Sequence, residues 1–595
     1  MPIAPARPRR RPLLAACLAL TAVALLAAPP AAPAAAPAPQ EPPPRAEPDP
    51  AANGDAAPEA TADDVFFDTL AVNVVNVDVV VTDRQGKPVH DLTKDDFELL
   101  EDGRPVEITN FYAVRDRRSA PAVARLPLPD REIETLPPGG SPAAEEVPAD
   151  QRLHLIVYVD NLFLRPFSRN AANREVARFL HLNTRPGDQV MVVSFERSFR
   201  VRQPFTSDVR LAQRALEEME TSNAFGQQQL AERRAVVERI ETARSIGEAQ
   251  THADFFAKSL HNDAEHSVKA LKELVGSLGG LPGKKALLYV SEGVPMAAGE
   301  ELFALVDARH GQQASSQLMA NRYGLRRQFR ELVARANSNR VTFYALDAAG
   351  GGAHSSLSAE YGRSDKSYVE VAFVEDANRQ EPLMALAEGT GGRAILNTNN
   401  FAGGLAEVAA DLDTYYSLGY TPPNPGDGRY HRVEVKVKRR GLTTRYRQGY
   451  RDKTLESRME DGTLAALLYG ASINPLGIEV RLGRAVAVDR GTYRVPVEVR
   501  IPLGRIALLP QGDQHHGRLR VALAVLDGDG ETSAPAQHPF AVSVPSAEIG
   551  RALDSFYTYA AELLMRGGNH QVAIGVNDEL GGESAFVRQM VRVGD

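Results

Sequence analysis

The chain has a single cysteine, Cys17, and it lies in an apolar segment near the amino terminus. No disulfide framework is available, so stability must come from buried apolar cores. Beyond the first residues there is no dense Lys/Arg block, and the formal net charge over 595 residues is -8. A phosphate backbone would find no basic stripe here, which excludes nucleic acid as the expected partner. The amino-terminal apolar run, Leu13 to Ala28, has 16 residues, short of the roughly 20 of a spanning helix.

What is present begins with an address. Arg7 and the cluster Arg9 to Arg11 precede the apolar run, and Ala32-Pro33-Ala34 supplies an A-x-A-like cleavage site. Residues 1–34 therefore read as a secretory signal peptide, and the protein is expected in the periplasm or outside the cell. Membrane attachment is expected only through an uncleaved signal anchor. Leu14-Ala15-Ala16-Cys17 is similar to a lipobox, yet only Pro12 to Ala16 separate Cys17 from the arginines. That is too little for the apolar segment such a signal needs. Residues 35–64, rich in Pro and Ala, read as a tether.

Hydrophobic period then divides the rest. Val75, Val77, Val79 and Val81 alternate with polar residues, and the Asp102-Gly103 turn joins two short strands, which predicts a small β module over 65–118. It is too small to stand alone and should pack on a neighbour. A Pro/Glu-rich linker covers 119–150. From 151 to 450, apolar strands alternate with helical patterns, which predicts a doubly wound, mostly parallel α/β domain. Ser168 is the expected N-cap of its first helix, and Pro382 is expected to open a late one. Strand after strand between 460 and 595 predicts a β-sandwich.

The central strand of the α/β domain is expected to be Leu153 to Val159, an unbroken apolar run ended by Asp160 and Asn161. Ala286 to Val290 is a second such run, ended by Ser291 and Glu292. Ligands of parallel sheets sit beyond the carboxyl ends of the strands, so Asp160, Asn161, Ser291 and Glu292 are the candidate binding residues. Three additions, about 221–260, 295–335 and 350–379, are expected to roof this edge.

Other clusters carry less chemistry. His261 and His266 are five apart on a predicted helix, whereas zinc on one helical face needs four. His515-His516 falls in a polar stretch read as a surface loop. Ser291 lacks the preceding glycine of a nucleophile elbow, which disfavours a serine hydrolase of the cell envelope. Gly389-Thr390-Gly391-Gly392 has no following Lys and precedes a strand, so it is a turn and not a phosphate loop.

Several spaced blocks resemble a von Willebrand factor type A (vWA) domain, and more closely the VWFA-related family of exported bacterial proteins. They are Val77 to Tyr112 with Asp95-Asp96-Phe97-Glu98-Leu99-Leu100-Glu101-Asp102-Gly103, Phe205-Thr206-Ser207-Asp208, Leu386 to Gly392, and Tyr415 to Pro423. The resemblance spans about 65–450. It implies a possible Mg²⁺ site of the D-x-S-x-S type at the end of the first strand. Here that stretch is Asp160-Asn161-Leu162-Phe163-Leu164, with leucine at both serine positions. Leucine offers no ligand, so the site is read as degenerate and no cofactor is expected. In that reading Asp160 caps a neighbouring helix or bonds loop amides. The expectation is an exported, non-enzymatic protein-binding scaffold with an unidentified protein partner. The alternative is Mg²⁺-dependent adhesion through a rearranged site shared by Asp160 and Glu292.

Overall fold

The computed structural model describes residues 74–115, 118–121, 152–311, 314–351, 366–423 and 425–594. All of them belong to one compact unit, Thr69–Asp595. The expected signal peptide, Cys17, the expected 35–64 tether and most of the expected 119–150 linker lie outside the described residues.

The first strands are β1 (Val75–Thr82), β2 (Phe97–Glu101), β3 (Arg104–Val106), β4 (Asn110–Arg115) and β5 (Arg118–Pro121). β2 and β3 form the expected hairpin, turning at Asp102 and Gly103, both of which have positive φ.

A six-stranded sheet follows. Its strands are β6 (Leu153–Val159), β7 (Gln189–Phe195), β8 (Phe199–Thr206), β9 (Lys284–Ser291), β10 (Val341–Asp347) and β11 (Arg393–Ile395), in the order β11-β10-β9-β6-β7-β8. Every pair is parallel except β7 with β8. β6 is central and buried at every residue. Its period of two divides the core: Ile156 and Tyr158 face one apolar layer, and Leu155, Val157 and Val159 the other.

Helices cover both faces. The relevant ones are α1 (Pro166–Asn183), α2 (Val209–Glu218), α3 (Gly226–Thr242), α4 (Ile246–Ser277), α5 (Glu300–His310), α6 (Ala314–Asn321), α7 (Arg326–Ser338), α8 (Lys366–Gly389) and α9 (Phe401–Asp413). Phe256, Ala264, Val268, Leu271 and Val275 of α4, with Leu278 just past its end, are buried as their spacing requires, and Leu260 in the same stripe is half-buried.

Two helix starts differ from expectation. α1 begins at Pro166, with Ser168 buried inside it and Arg165 at the N-cap. Pro at the first position is preorganised for a helix, and the free amide of Arg165 is satisfied from across the sheet by Glu292 Oε1 at 3.2 Å. Pro382 lies inside α8 and does not open it. The carbonyl it strands, Asn378 O, accepts instead from Met296 N–H at 2.9 Å, so the loop after β9 repairs the helix.

The chain then returns to its beginning. β12 (Tyr415–Tyr420), β13 (Tyr430–Val437), β14 (Thr443–Tyr446) and β15 (Gly449–Arg451) build two sheets with the first strands, ordered β14-β1-β12-β4-β5 and β15-β13-β2-β3. Val77, Val79, Leu99, Tyr416, Leu418 and Val435 share one core. The strands of 65–118 thus form no module by themselves, because residues 415–451 supply the central pairings that a stretch of 50 residues lacks.

α10 (Leu455–Tyr469) leads into a carboxyl-terminal all-β region. One sheet there contains the strands Thr492–Pro502 and Phe556–Arg566 paired along their length, and the other contains Gln514–Leu526 between Ala536–Pro545 and Gly568–Asp578. A common core unites the two sheets around Val497, Val521 and Ile574. His515 and His516 are on a strand and not in a loop, each facing a serine hydroxyl, Ser546 and Ser543. Gly279 and Gly280 let α10 approach the central domain, since a Cβ on Gly280 would lie 2.1 Å from Asp461 O.

Candidate functional site

Four neighbouring strands each end in, or are followed by, a carboxylate: Glu196 after β7, Asp160 after β6, Glu292 after β9, and Asp347 at the end of β10. Glu196 and Asp347 were missed in the sequence, although each closes an apolar run as Asp160 does. The four do not converge on a common point.

Asp160 is fully buried. Its Oδ2 accepts from Tyr289 Oη at 2.6 Å and Ser267 Oγ at 3.1 Å, while Oδ1 is buried with no hydrogen-bond partner. Desolvation pushes its pKa up to about 6, against the opposing pull of the Tyr289 and Ser267 hydroxyls. The backbone amides of Leu162 and Phe163 in the following loop also lower it, as the loop-amide expectation had it, whereas Asp160 caps no helix. It faces α4 in the sheet's interior. Leu162 and Leu164 are core residues, one on each face of the sheet.

Asn161 is equally buried, and its amide donates to Glu196 Oε1 at 2.8 Å. Glu196 is held in turn by Arg202. Ser291 is fully buried with its Oγ accepting from Gly293 N–H at 3.0 Å. No nucleophile is accessible there.

Glu292 performs the capping role expected of Asp160. Its carboxylate takes the Arg165 amide and, at 2.8 Å, Arg165 Nε, at the amino terminus of α1, where negative charge is favoured. Arg379 Nη2 lies 3.6 Å from the same carboxylate and Arg379 Nε donates to Glu292 O. Arg379 continues to Glu375 at 3.4 Å, and Glu375 to the buried Arg233. These groups line a cavity of about 100 Å³ under α3, α4, α5 and α8, together with Phe163, Glu301 and Asp347. Burial raises Glu301 to about 7, with Glu375 adding to the rise and Arg233 opposing it. Burial likewise raises Asp347 to about 6, against the Ala349 amide. The described parts of the additions roof the carboxyl edge, and what they enclose is an alternating chain of guanidinium and carboxylate.

The residues at the positions of the D-x-S-x-S stretch are engaged as follows. Two of its oxygen ligands are replaced by core leucines, Asp160 is bonded to hydroxyls of the sheet and α4, and Glu292 is taken by two arginines. Sequence reasoning placed Asp160 and Glu292 together as a shared ion site, but their carboxylates face different groups. Among the described residues, one set of carboxylates and histidine does converge, Glu101, Asp102 and His431, at the β2 end of the two-part β region.

No protein-family model matches the sequence, and no curated protein matches it significantly. Solved structures with related architecture include an aerotolerance-related membrane protein from Bacteroides fragilis, 10% identical, covering 44% of this chain and 98% of that one with a TM-score of 0.20. A conserved hypothetical protein, BatB, from Bacteroides thetaiotaomicron is 13% identical over 44% of this chain and 97% of that one, with a TM-score of 0.22. A von Willebrand factor type A protein from Catenulispora acidiphila is 10% identical over 74% and 66%, with a TM-score of 0.20. At these scores the likeness carries no argument about function, and the vWA-like description of the central domain rests on its sheet order, its antiparallel edge strand and the sequence blocks.

Proposed function

We propose that this chain is an exported, non-enzymatic protein-binding scaffold whose vWA-like domain works without a metal at its strand-end site. The observation that carries the reading is the closure of that site. Asp160 is buried against Tyr289 and Ser267, and Glu292 on the adjacent strand end is paired with Arg165 and Arg379. An adhesion site of the metal type needs an open coordination position for the partner's carboxylate. Here the edge is filled by α3, α4 and α8, so a partner meets the outside of that roof. Phe255 on α4 is 80% exposed there, an apolar group of the kind that anchors protein interfaces. Export is supported by the leader-like sequence of residues 1–34, and the burial of Ser291 disfavours the serine-hydrolase alternative.

Thermal unfolding of the purified chain in EDTA, then in millimolar Mg²⁺ or Ca²⁺, tests the reading. A flat response in both the wild type and Asp160→Ala is expected. A Mg²⁺-dependent rise in Tm that vanishes in Asp160→Ala would mean native-state ligation at the strand end and would end the metal-independent reading.

A further inference from the structure

We propose that Glu101, Asp102 and His431 bind one divalent transition-metal ion of the Zn²⁺ class, at a site remote in sequence from the strand-end edge. Glu101 is the last residue of β2, Asp102 the first of the following turn, and His431 lies on β13. The antiparallel pairing of Glu101 with Val433 brings these distant segments together.

Each side chain has one polar atom fixed by a neighbour and one turned inward. Glu101 Oε2 accepts from the hydroxyls of Tyr420 and, at 3.1 Å, Tyr450. Asp102 Oδ1 accepts from Arg432 N–H at 2.9 Å, and His431 Nε2 faces Asp427 Oδ1 at 3.1 Å. The inward atoms are Glu101 Oε1, Asp102 Oδ2 and His431 Nδ1, which lie within 4.8 Å of one another; Nδ1 and Oδ2 are hydrogen-bonded at 2.9 Å, and the ion would take the place of the proton between them.

Their spacing matches coordination. Nδ1 is 2.9 Å from Asp102 Oδ2 and 3.6 Å from Glu101 Oε1. Zinc bonds of about 2.0–2.1 Å in a tetrahedron put ligand atoms roughly 3.3 Å apart, between those two values. Glu101 is 6% exposed and its Oε1 forms an ion pair with Nδ1, so that with Asp102 and Asp427 three carboxylates face one imidazole. Against desolvation by burial, these carboxylates hold the His431 pKa above its ordinary value, yet one imidazolium cannot balance three negative charges, and a divalent ion could.

The chemistry selects the ion. Two carboxylates and a neutral imidazole balance a divalent charge, and imidazole favours Zn²⁺ over Mg²⁺, which prefers an all-oxygen octahedron. Asp427 on Nε2 and the two tyrosines on Glu101 are the outer partners that fix ligand orientation in such sites. Asp102 is 53% exposed, so the fourth position opens to water. The ion would clip the β2 turn to the start of β13.

The test uses the whole purified chain, stripped with EDTA and dialysed. Zn²⁺ is expected to bind at one ion per chain by calorimetry and to raise Tm by several degrees, whereas Mg²⁺ is not. His431→Gln and Asp102→Asn are expected to abolish the effect, and Asp427→Asn, a positioning change, to weaken affinity about 10- to 100-fold while keeping the stoichiometry. Asp160→Ala is expected to leave it intact, which separates this site from the proposed scaffold reading. No Zn²⁺ response in the wild type, or one retained in His431→Gln, overturns the proposal. Should those variants fail to fold, Co²⁺ in the wild type decides: absence of tetrahedral Co²⁺ absorption bands also overturns it.

Discussion

Tyr289 Oη donates to Asp160 Oδ2 at 2.6 Å inside a layer closed to water. The pair sits at the carboxyl end of the central strand, where ligands of parallel sheets are usually met, and there the carboxylate is part of the core.

Stability should therefore depend on pH through Asp160. Its folded pKa, about 6, lies above the ordinary 3.8, so the folded state holds the proton more tightly. The contribution is fully present below about pH 4 and is lost as pH rises through about 6, amounting to about 3 kcal/mol for a shift of about two units. Asp160→Asn has no such titration. Urea unfolding of both proteins at pH 4 and pH 8 should show the wild type losing about 3 kcal/mol relative to the variant, and parallel curves would contradict the burial argument.

Restoring the missing serines should not restore a metal site. Leu162 and Leu164 are 1% and 0% exposed, and truncating a buried leucine costs about 2–5 kcal/mol. The double variant Leu162→Ser, Leu164→Ser is expected to lose at least about 4 kcal/mol in denaturant unfolding and to show no Mg²⁺ stabilisation.

Arg379 joins Glu292 to Glu375 beneath the roof. Replacing Glu292, whose side chain is 2% exposed, by Gln leaves Arg165 and Arg379 partly uncompensated and weakens the start of α1. A loss of about 3–5 kcal/mol is expected, as for other broken buried pairs. Hydrogen exchange should show the added opening concentrated at the amino terminus of α1.

Gly280→Ala would drive a Cβ to 2.1 Å from the Asp461 carbonyl oxygen, a backbone atom that cannot turn aside. Overpacking of this kind costs about 1–3 kcal/mol or more. Limited proteolysis should cut the variant faster near α10 than the wild type.

Phe255→Asp is the control for the roof surface. At 80% exposure the side chain carries little packing, so Tm should stay within about 1–2 °C of the wild type, consistent with a surface change of under about 0.5 kcal/mol. A larger drop would make Phe255 a core residue and remove it from the binding surface.

The sequence by itself determined the central sheet. Apolar runs such as Leu153 to Val159 and Ala286 to Val290 have one physical use, strands covered on both faces, and alternation with helical stripes dictates parallel order. Leucine at 162 and 164 was enough to rule out two metal ligands, because a hydrocarbon side chain has no lone pair. Tertiary structure alone decided where the carboxylates went. Asp160 and Glu292 end adjacent strands, yet Tyr289 and Ser267 claim one while Arg165 and Arg379 claim the other, and those partners lie up to about 130 residues away. The same holds for β1 to β5. Their local pattern foretold strands, but pairing with residues 415–451 is a long-range choice that period and turn chemistry cannot encode. That pairing also set Glu101 and Asp102 against His431, three residues with nothing in common along the chain until the sheets closed around them.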